Sequence, residues 1–143
     1  MTPREVFERL IDGVTSGDWD ALPALYAEDT VVVHPMAESD EPLVGREALR
    51  RHFAAAAALP LRMSARDVVV HETADPEAVI AEFEYAGRVT TTGRRFTVRN
   101  VFVLRVRDGL IVESRDYADH LRFGAAIGRP PGPPTVGVDG ASS

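Results

Sequence analysis

From Leu61 onward the apolar residues of this 143-residue chain recur at every second position, the pattern of β-strands that bury one face. Turn signals at Asp75-Pro76, Thr92-Gly93 and Asp108-Gly109 divide that stretch into four strands of about 61–73, 78–91, 94–107 and 110–121. An antiparallel meander is predicted. Strands this long need a second layer to cover their apolar face, and the residues before Leu61 must supply it.

They have the pattern to do so. Thr2-Pro3-Arg4-Glu5 combines a capping-box spacing with proline at the first helical position, and Val6, Phe7, Leu10, Ile11 and Val14 follow with helical period. This predicts a helix over 3–16 that stops at Gly17. Asp18 can cap a second short helix ending near Ala27, in which Trp19, Leu22, Leu25 and Tyr26 form the apolar stripe. Thr30 to His34 reads as a strand closed by Pro35, and a third helix over about 46–59 presents Leu49, Phe53, Ala56 and Leu59 before Pro60 ends it. The last 20 residues hold four prolines and five glycines, so a domain over 1–123 and a flexible tail over 124–143 are expected.

Alternation assigns faces within the strands. Phe96, Val98, Asn100, Phe102, Leu104 and Val106 share one side of the strand from 94, with Asn100 the lone polar residue among them. In the last strand Leu110, Val112, Ser114, Asp116 and Ala118 are expected inside, and Ile111, Glu113, Arg115, Tyr117 and Asp119 outside. In the strand from 78, Val79, Ala81, Phe83 and Tyr85 face inward, and outer Glu82 and Glu84 can pair with Arg99 and Arg105. A two-residue Thr92-Gly93 turn and a three-residue Arg107-Asp108-Gly109 loop would set Tyr85, Asn100 and Asp116 in one row across three strands. A buried Asp beside an Asn can be a structural hydrogen-bonded pair. It can also be a working group, because an ionisable carboxylate is costly to bury on an apolar face and its proton affinity is shifted there.

Composition excludes several chemistries. The chain has no cysteine and all 16 of its basic residues are arginine, which removes thiol nucleophiles, disulfides and lysine Schiff bases. A net charge of −6 without a long basic run argues against a phosphate-binding surface and against nucleic acid as a partner. No apolar stretch approaches a membrane span and no leader-like segment opens the chain, so no membrane association and a cytoplasmic location are expected.

Helix, helix, short strand, helix and a four-strand meander, in that order, resemble the SnoaL-like branch of the nuclear transport factor 2-like superfamily over about 3–122. The residues that carry the resemblance are Gly17-Asp18-Trp19-Asp20-Ala21-Leu22, Leu25-Tyr26-Ala27-Glu28-Asp29, Val33-His34-Pro35, Gly45-Arg46-Glu47-Ala48-Leu49, and Gly109-Leu110-Ile111-Val112 running into Arg115-Asp116-Tyr117. The resemblance implies an α+β cone, a curved antiparallel sheet wrapped around N-terminal helices with an apolar pocket. It also implies a homodimer through the outer sheet face, and activities from polyketide cyclase through ketosteroid isomerase to epoxide hydrolase, with some members only binding modules. It places Asp116 at the cyclases' and epoxide hydrolases' catalytic aspartate, His34 where the isomerases carry a general base before proline, and Asn100 near their oxyanion-binding acid. Two departures stand out: Phe83 and Tyr85 occupy the inward positions where the epoxide hydrolases use an Arg and a second Asp, and Leu10 stands at the isomerases' oxyanion tyrosine.

The expectation is therefore cofactor-independent acid/base chemistry on a small apolar molecule bearing a carbonyl or epoxide, with Asp116, His34 and Asn100 catalytic. Tyr26, Tyr85, Phe83, Phe102, Ser114, Trp19, Phe53 and His120 are expected to line the substrate. His34 lies in a run of valines whose facing the pattern leaves open, so a strand-end position in solvent is the other reading. A non-catalytic binder or dimeric accessory domain using the same cavity is the rival function. His52 and His71 are expected in solvent, and no spacing typical of a zinc or iron site appears.

Overall fold

The computed structural model of the chain describes residues 1–128. Helix α1 (Pro3–Ser16) carries the expected capping box, in which the Thr2 hydroxyl accepts from the Glu5 amide and the Glu5 carboxylate accepts from the Thr2 amide. A 3-10 helix (Trp19–Leu25), β1 (Tyr26–Val33), β2 (Leu43–Val44) and α2 (Arg46–Ala57) follow. Then come β3 (Leu61–Glu72), β4 (Ala78–Val89), β5 (Arg95–Arg107), β6 (Leu110–Ala118) and α3 (His120–Ala126). One six-stranded, curved and unclosed sheet runs in the order β2-β1-β6-β5-β4-β3, and the N-terminal helices cover its inner face. The fold class is the α+β cone anticipated above.

Three expectations about elements need correction. The second helix is a 3-10 helix that ends at Leu25, and the strand after it begins at Tyr26 rather than Thr30. Pro23 within the segment removes an amide donor, which favours the short tight form. The short β2, unread in the sequence, pairs antiparallel with β1 through Val31 with Val44 and Val32 with Leu43. The last strand stops at Ala118, and Asp119 caps α3 by accepting the Arg122 amide at 2.9 Å. Structure therefore continues past residue 123; Phe123 packs edge-on against Phe96 at 6.0 Å. Of the proposed tail, residues 129–143 lie outside the described residues.

The hairpin registers differ from the predicted ones, each by two residues. Arg88 pairs with Arg95 and the Val89 amide donates to the Arg94 carbonyl at 2.8 Å, so residues 90–93 form a four-residue loop rather than Thr92-Gly93 alone, and Phe83 stands opposite Asn100 and Tyr85 opposite Val98. Asp108 and Gly109 both have positive φ, 52° and 76°, and form a two-residue turn that pairs Arg107 with Leu110. An irregularity beyond Val106 then restores the face, so that Ile111 is fully buried, Val112 is the extra residue, and Ser114 and Asp116 point inward. Asp116 consequently stands opposite Phe102, and Asn100 opposite Ala118. The predicted Tyr85-Asn100-Asp116 row does not exist, and Ile111 belongs inside rather than outside.

The core is continuous from α1 to the sheet. Val6, Phe7, Leu10 and Ile11 pack on Phe83, Leu104, Val106 and Ile111, with the Phe7 and Phe83 rings 5.4 Å apart in an edge contact. Each fully buried aliphatic side chain among them contributes about 1.5–3 kcal/mol of transfer free energy. On the outer face Glu84 pairs with Arg66 at 2.7 Å and Arg99 at 3.5 Å, as the alternation foresaw for Arg99. Arg105 instead reaches Asp75 and Glu113, and Glu82 meets His71 at 2.6 Å, so His71 is not simply solvated.

Candidate active site

The site forms where β1 lies parallel to β6. Val32 pairs with Ser114 and Val33 with Arg115, and one further step along both strands sets His34 beside Asp116. Thr30 and Val32 are buried, and by the two-residue period His34 shares their inward face. Two contacts lock this register: the buried Thr30 hydroxyl donates to the Ile111 carbonyl at 2.8 Å, and Arg46 Nε donates to the Tyr26 carbonyl at 2.9 Å.

Asp116 is 8% exposed and accepts a short hydrogen bond from the Ser114 hydroxyl two residues earlier on the same face. Burial pushes its carboxyl up from 3.8 to about 7, against the opposing pull of the Ser114 hydrogen bond. His34 Nε2 lies 3.7 Å from Asp116 Oδ2. Burial lowers the His34 imidazole from 6.5 to about 4, with His52 and His120 adding to the shift. The distance alone would allow an ion pair, but the two shifts run the other way. Desolvation of both partners outweighs their mutual attraction, so near pH 6 the pair is a protonated carboxyl beside a neutral imidazole.

Two further imidazoles complete the cluster. The His34 ring lies 5.2 Å from His52 on α2 and 5.8 Å, edge-on, from His120 at the start of α3. His52 remains exposed, as expected, although its ring packs between those of His34 and Phe53 and partial desolvation lowers its proton affinity.

Tyr26 belongs to the buried core and Tyr85 packs against it. Burial raises both phenols, and the Asp116 charge raises them further, which places each hydroxyl within electrostatic reach of that carboxyl. Neither hydroxyl has a hydrogen-bond partner among the described residues. Asn100 is buried, but its amide donates to the Val98 carbonyl at 3.0 Å. Ser114 is committed to Asp116. Phe83 and Phe102 stack edge-on at 4.9 Å, and Trp19 packs against Phe53 at 6.3 Å as part of the apolar cluster. Thus His34, Asp116, His120, Ser114, Tyr26 and Tyr85 are brought together, while Asn100 sits one cross-strand row away beside Phe83 and Ala118.

The site is enclosed. The Asp116 side chain is 11% exposed and that of His34 19%; neither lines the surface grooves of about 470, 720 and 830 Å³, although Phe83 and Asn100 line the first of these. Among the described residues no set of three or more His, Cys, Asp or Glu is arranged to hold a metal ion, and no helix is long and apolar enough to cross a membrane.

An α+β cone with an inward carboxyl on its last strand defines a class, and sequence comparison agrees with it. The chain belongs to the SnoaL-like domain family, whose match covers residues 7–114 and stops two residues short of Asp116. It is similar to an uncharacterised PhzA/B-like protein of Pseudomonas aeruginosa, 30% identical over 132 residues that span 90% of this chain and 92% of the relative. Among solved structures, a presumed isomerase from Bacillus subtilis superposes with a TM-score of 0.79 at 28% identity, covering 87% of this chain and 91% of that one. A presumed polyketide cyclase from Xanthomonas campestris superposes with a TM-score of 0.74 at 23% identity, over 87% and 96% of the two chains, and shares the fold.

Proposed function

We propose that this protein is an acid/base catalyst of cyclase or isomerase type, acting without a cofactor on a small, largely apolar molecule that carries a carbonyl or epoxide. One observation carries the reading: the Asp116 carboxyl and the His34 imidazole lie 3.7 Å apart in the interior, where burial favours the protonated acid and the neutral base. Such a pair presents a proton donor and a proton acceptor to the same substrate at the same pH. His34 would remove a proton adjacent to the carbonyl while Asp116 donates to the oxygen on which charge develops. The hydroxyls of Tyr26 and Tyr85, which have no protein partner among the described residues, would hydrogen-bond that oxygen. Asn100 takes a lesser part than its sequence position implied, because one of its amide hydrogens is already engaged. Ser114 orients the Asp116 carboxyl, and burial, with His52 and His120 adding to it, keeps His34 neutral.

The enclosure of the site favours a second reading, a small-ligand carrier of the same fold. The experiment that separates them is turnover of a panel of enolisable ketones, polyketide-like β-diketones and epoxides, with direct binding measured in parallel. The catalytic reading expects wild-type turnover that drops at least about 100-fold in Asp116→Asn and in His34→Ala, in line with the loss of general acid/base catalysis. Tight binding by wild type with no turnover of any bound compound would favour the carrier and overturn the enzyme.

A further inference from the structure

On the outer face of the sheet the strand register assembles a row of arginines that the linear sequence does not display. Arg62 on β3 pairs directly with Arg88 on β4, and Arg88 pairs directly with Arg95 on β5. Three guanidinium-bearing side chains thus leave the same face from adjacent positions, with Cβ atoms of neighbours about 4.5–5.5 Å apart. Like charges directly opposite each other destabilise a sheet. Among the described residues none of these three arginines has a carboxylate within ion-pairing distance, in a chain whose net charge is −6. Acidic partners are plentiful elsewhere: Arg66 has Glu84 at 2.7 Å, and Arg105 and Arg107 are each paired.

The row borders a groove of about 720 Å³ that Arg66 and Arg122 also line, and no Asp or Glu is among its lining residues. Ser64 and Thr97 add hydroxyls between the arginines, and they alternate with the arginines along β3 and β5. Arg122 lies on α3, whose backbone is held by the Asp119 cap and by Arg94, which donates to the Ala125 carbonyl at 3.0 Å, and its guanidinium lies 3.6 Å from the Asp119 carboxylate.

We propose that this groove is a binding site for a multivalent oxyanion, a small molecule bearing a phosphate ester or several carboxylates, separate from the buried Asp116 site. Each arginine offers five N–H donors in a planar fork suited to bidentate contact with such oxygens. A two-fold axis through this patch would set arginine against arginine, so a dimer formed through the outer sheet face would place its axis away from the row. The unfavourable row is relieved when an anion bridges it, which gives the ligand-free protein a local electrostatic cost and the complex a local gain. A charge count over the sequence argued against a phosphate-binding surface, because the three arginines lie 26 and 7 residues apart and meet only through the register.

The test uses the full chain and two probes, pyrophosphate and citrate, titrated by calorimetry and by thermal unfolding with ionic strength held constant by sodium chloride. Saturable binding of either probe to wild type is expected, weakened at least tenfold in Arg88→Gln and unchanged in Arg50→Gln, an exposed arginine on α2. Binding of pyrophosphate alone would identify the ligand as a phosphate ester, and binding of citrate alone as a polycarboxylate. Without probe, Arg88→Gln should unfold at a temperature no lower than wild type, since it removes the centre of the like-charge row; this also shows that the variant folds. Absence of saturable binding of both probes up to 10 mM (roughly the weak limit of specific anion sites) overturns the proposal, as does equal binding by Arg88→Gln. A wild-type dimer that Arg88→Gln dissociates would likewise overturn it, by assigning the row to acidic residues of a second copy.

Discussion

Replacing Asp116 by asparagine should change how stability depends on pH, with a sign fixed by the site. Asparagine keeps the side-chain shape and can still accept the Ser114 hydroxyl, but it does not ionise. In the wild-type protein burial raises the Asp116 carboxyl from 3.8 to about 7. Between those values the native state holds a proton that the unfolded chain has released, so wild-type stability falls as pH rises and levels off above about 7. The full gap corresponds to about 4 kcal/mol at about 1.4 kcal/mol per tenfold change in proton affinity. Relaxation around a newly charged group lowers the expected effect to about 2–4 kcal/mol. His34 acts with the opposite sign: its affinity is lowered from 6.5 to about 4, so its contribution rises with pH across that window. The two slopes oppose each other in wild type, and only the histidine slope remains in Asp116→Asn. Urea unfolding of both proteins from pH 4.5 to 8.5 measures the difference. The variant should gain about 2–3 kcal/mol on wild type between pH 4.5 and 8 and hold that lead at higher pH. The acidic carboxyls of Asp75, Glu77 and Glu84, lowered by hydrogen bonding to the backbone or to arginines, are common to both proteins and cancel. A difference that stays constant with pH, or shrinks as pH rises, would refute a protonated carboxyl in the interior.

For a compound that wild type turns over, kcat/KM should rise through about pH 4 as His34 loses its proton and fall through about pH 7 as Asp116 ionises, with a plateau between; a profile centred above pH 8 would contradict the assignment. Thr30→Val removes the buried hydroxyl that donates to the Ile111 carbonyl and should cost about 1–2 kcal/mol in urea unfolding, since the carbonyl loses its partner without a change of volume. Gly87→Ala sets a Cβ 2.4 Å from the tip of the Phe96 ring. It should destabilise by about 1–3 kcal/mol and loosen α3, which rests on Phe96 through Phe123, and limited proteolysis near residue 123 would report that loosening.

The strand alternation from Leu61 onward was enough to place Phe83, Phe102, Leu104, Ser114 and Asp116 inside the cone, because side-chain facing is a local property of an extended chain. Neighbours across the sheet were not legible. Both hairpins were misread by two residues, once because the β4–β5 connection has four residues and once because an extra residue at Val112 follows a tighter turn than expected. A slip of two leaves every side chain on its proper face and gives it the wrong partner, which is why Asp116 was correctly turned inward yet wrongly set beside Asn100. That exposed His52 stacks on His34 was hidden for a related reason, since the contact depends on how α2 packs over β1. The residues that can do chemistry were thus determined by sequence. Which of them meet was decided by tertiary structure alone: the parallel pairing of β1 with β6 that sets His34 against Asp116, and the antiparallel register that aligns Arg62, Arg88 and Arg95. These contacts, between residues 7 to 82 positions apart, depend on loop lengths and bulges, and no local periodicity encodes them.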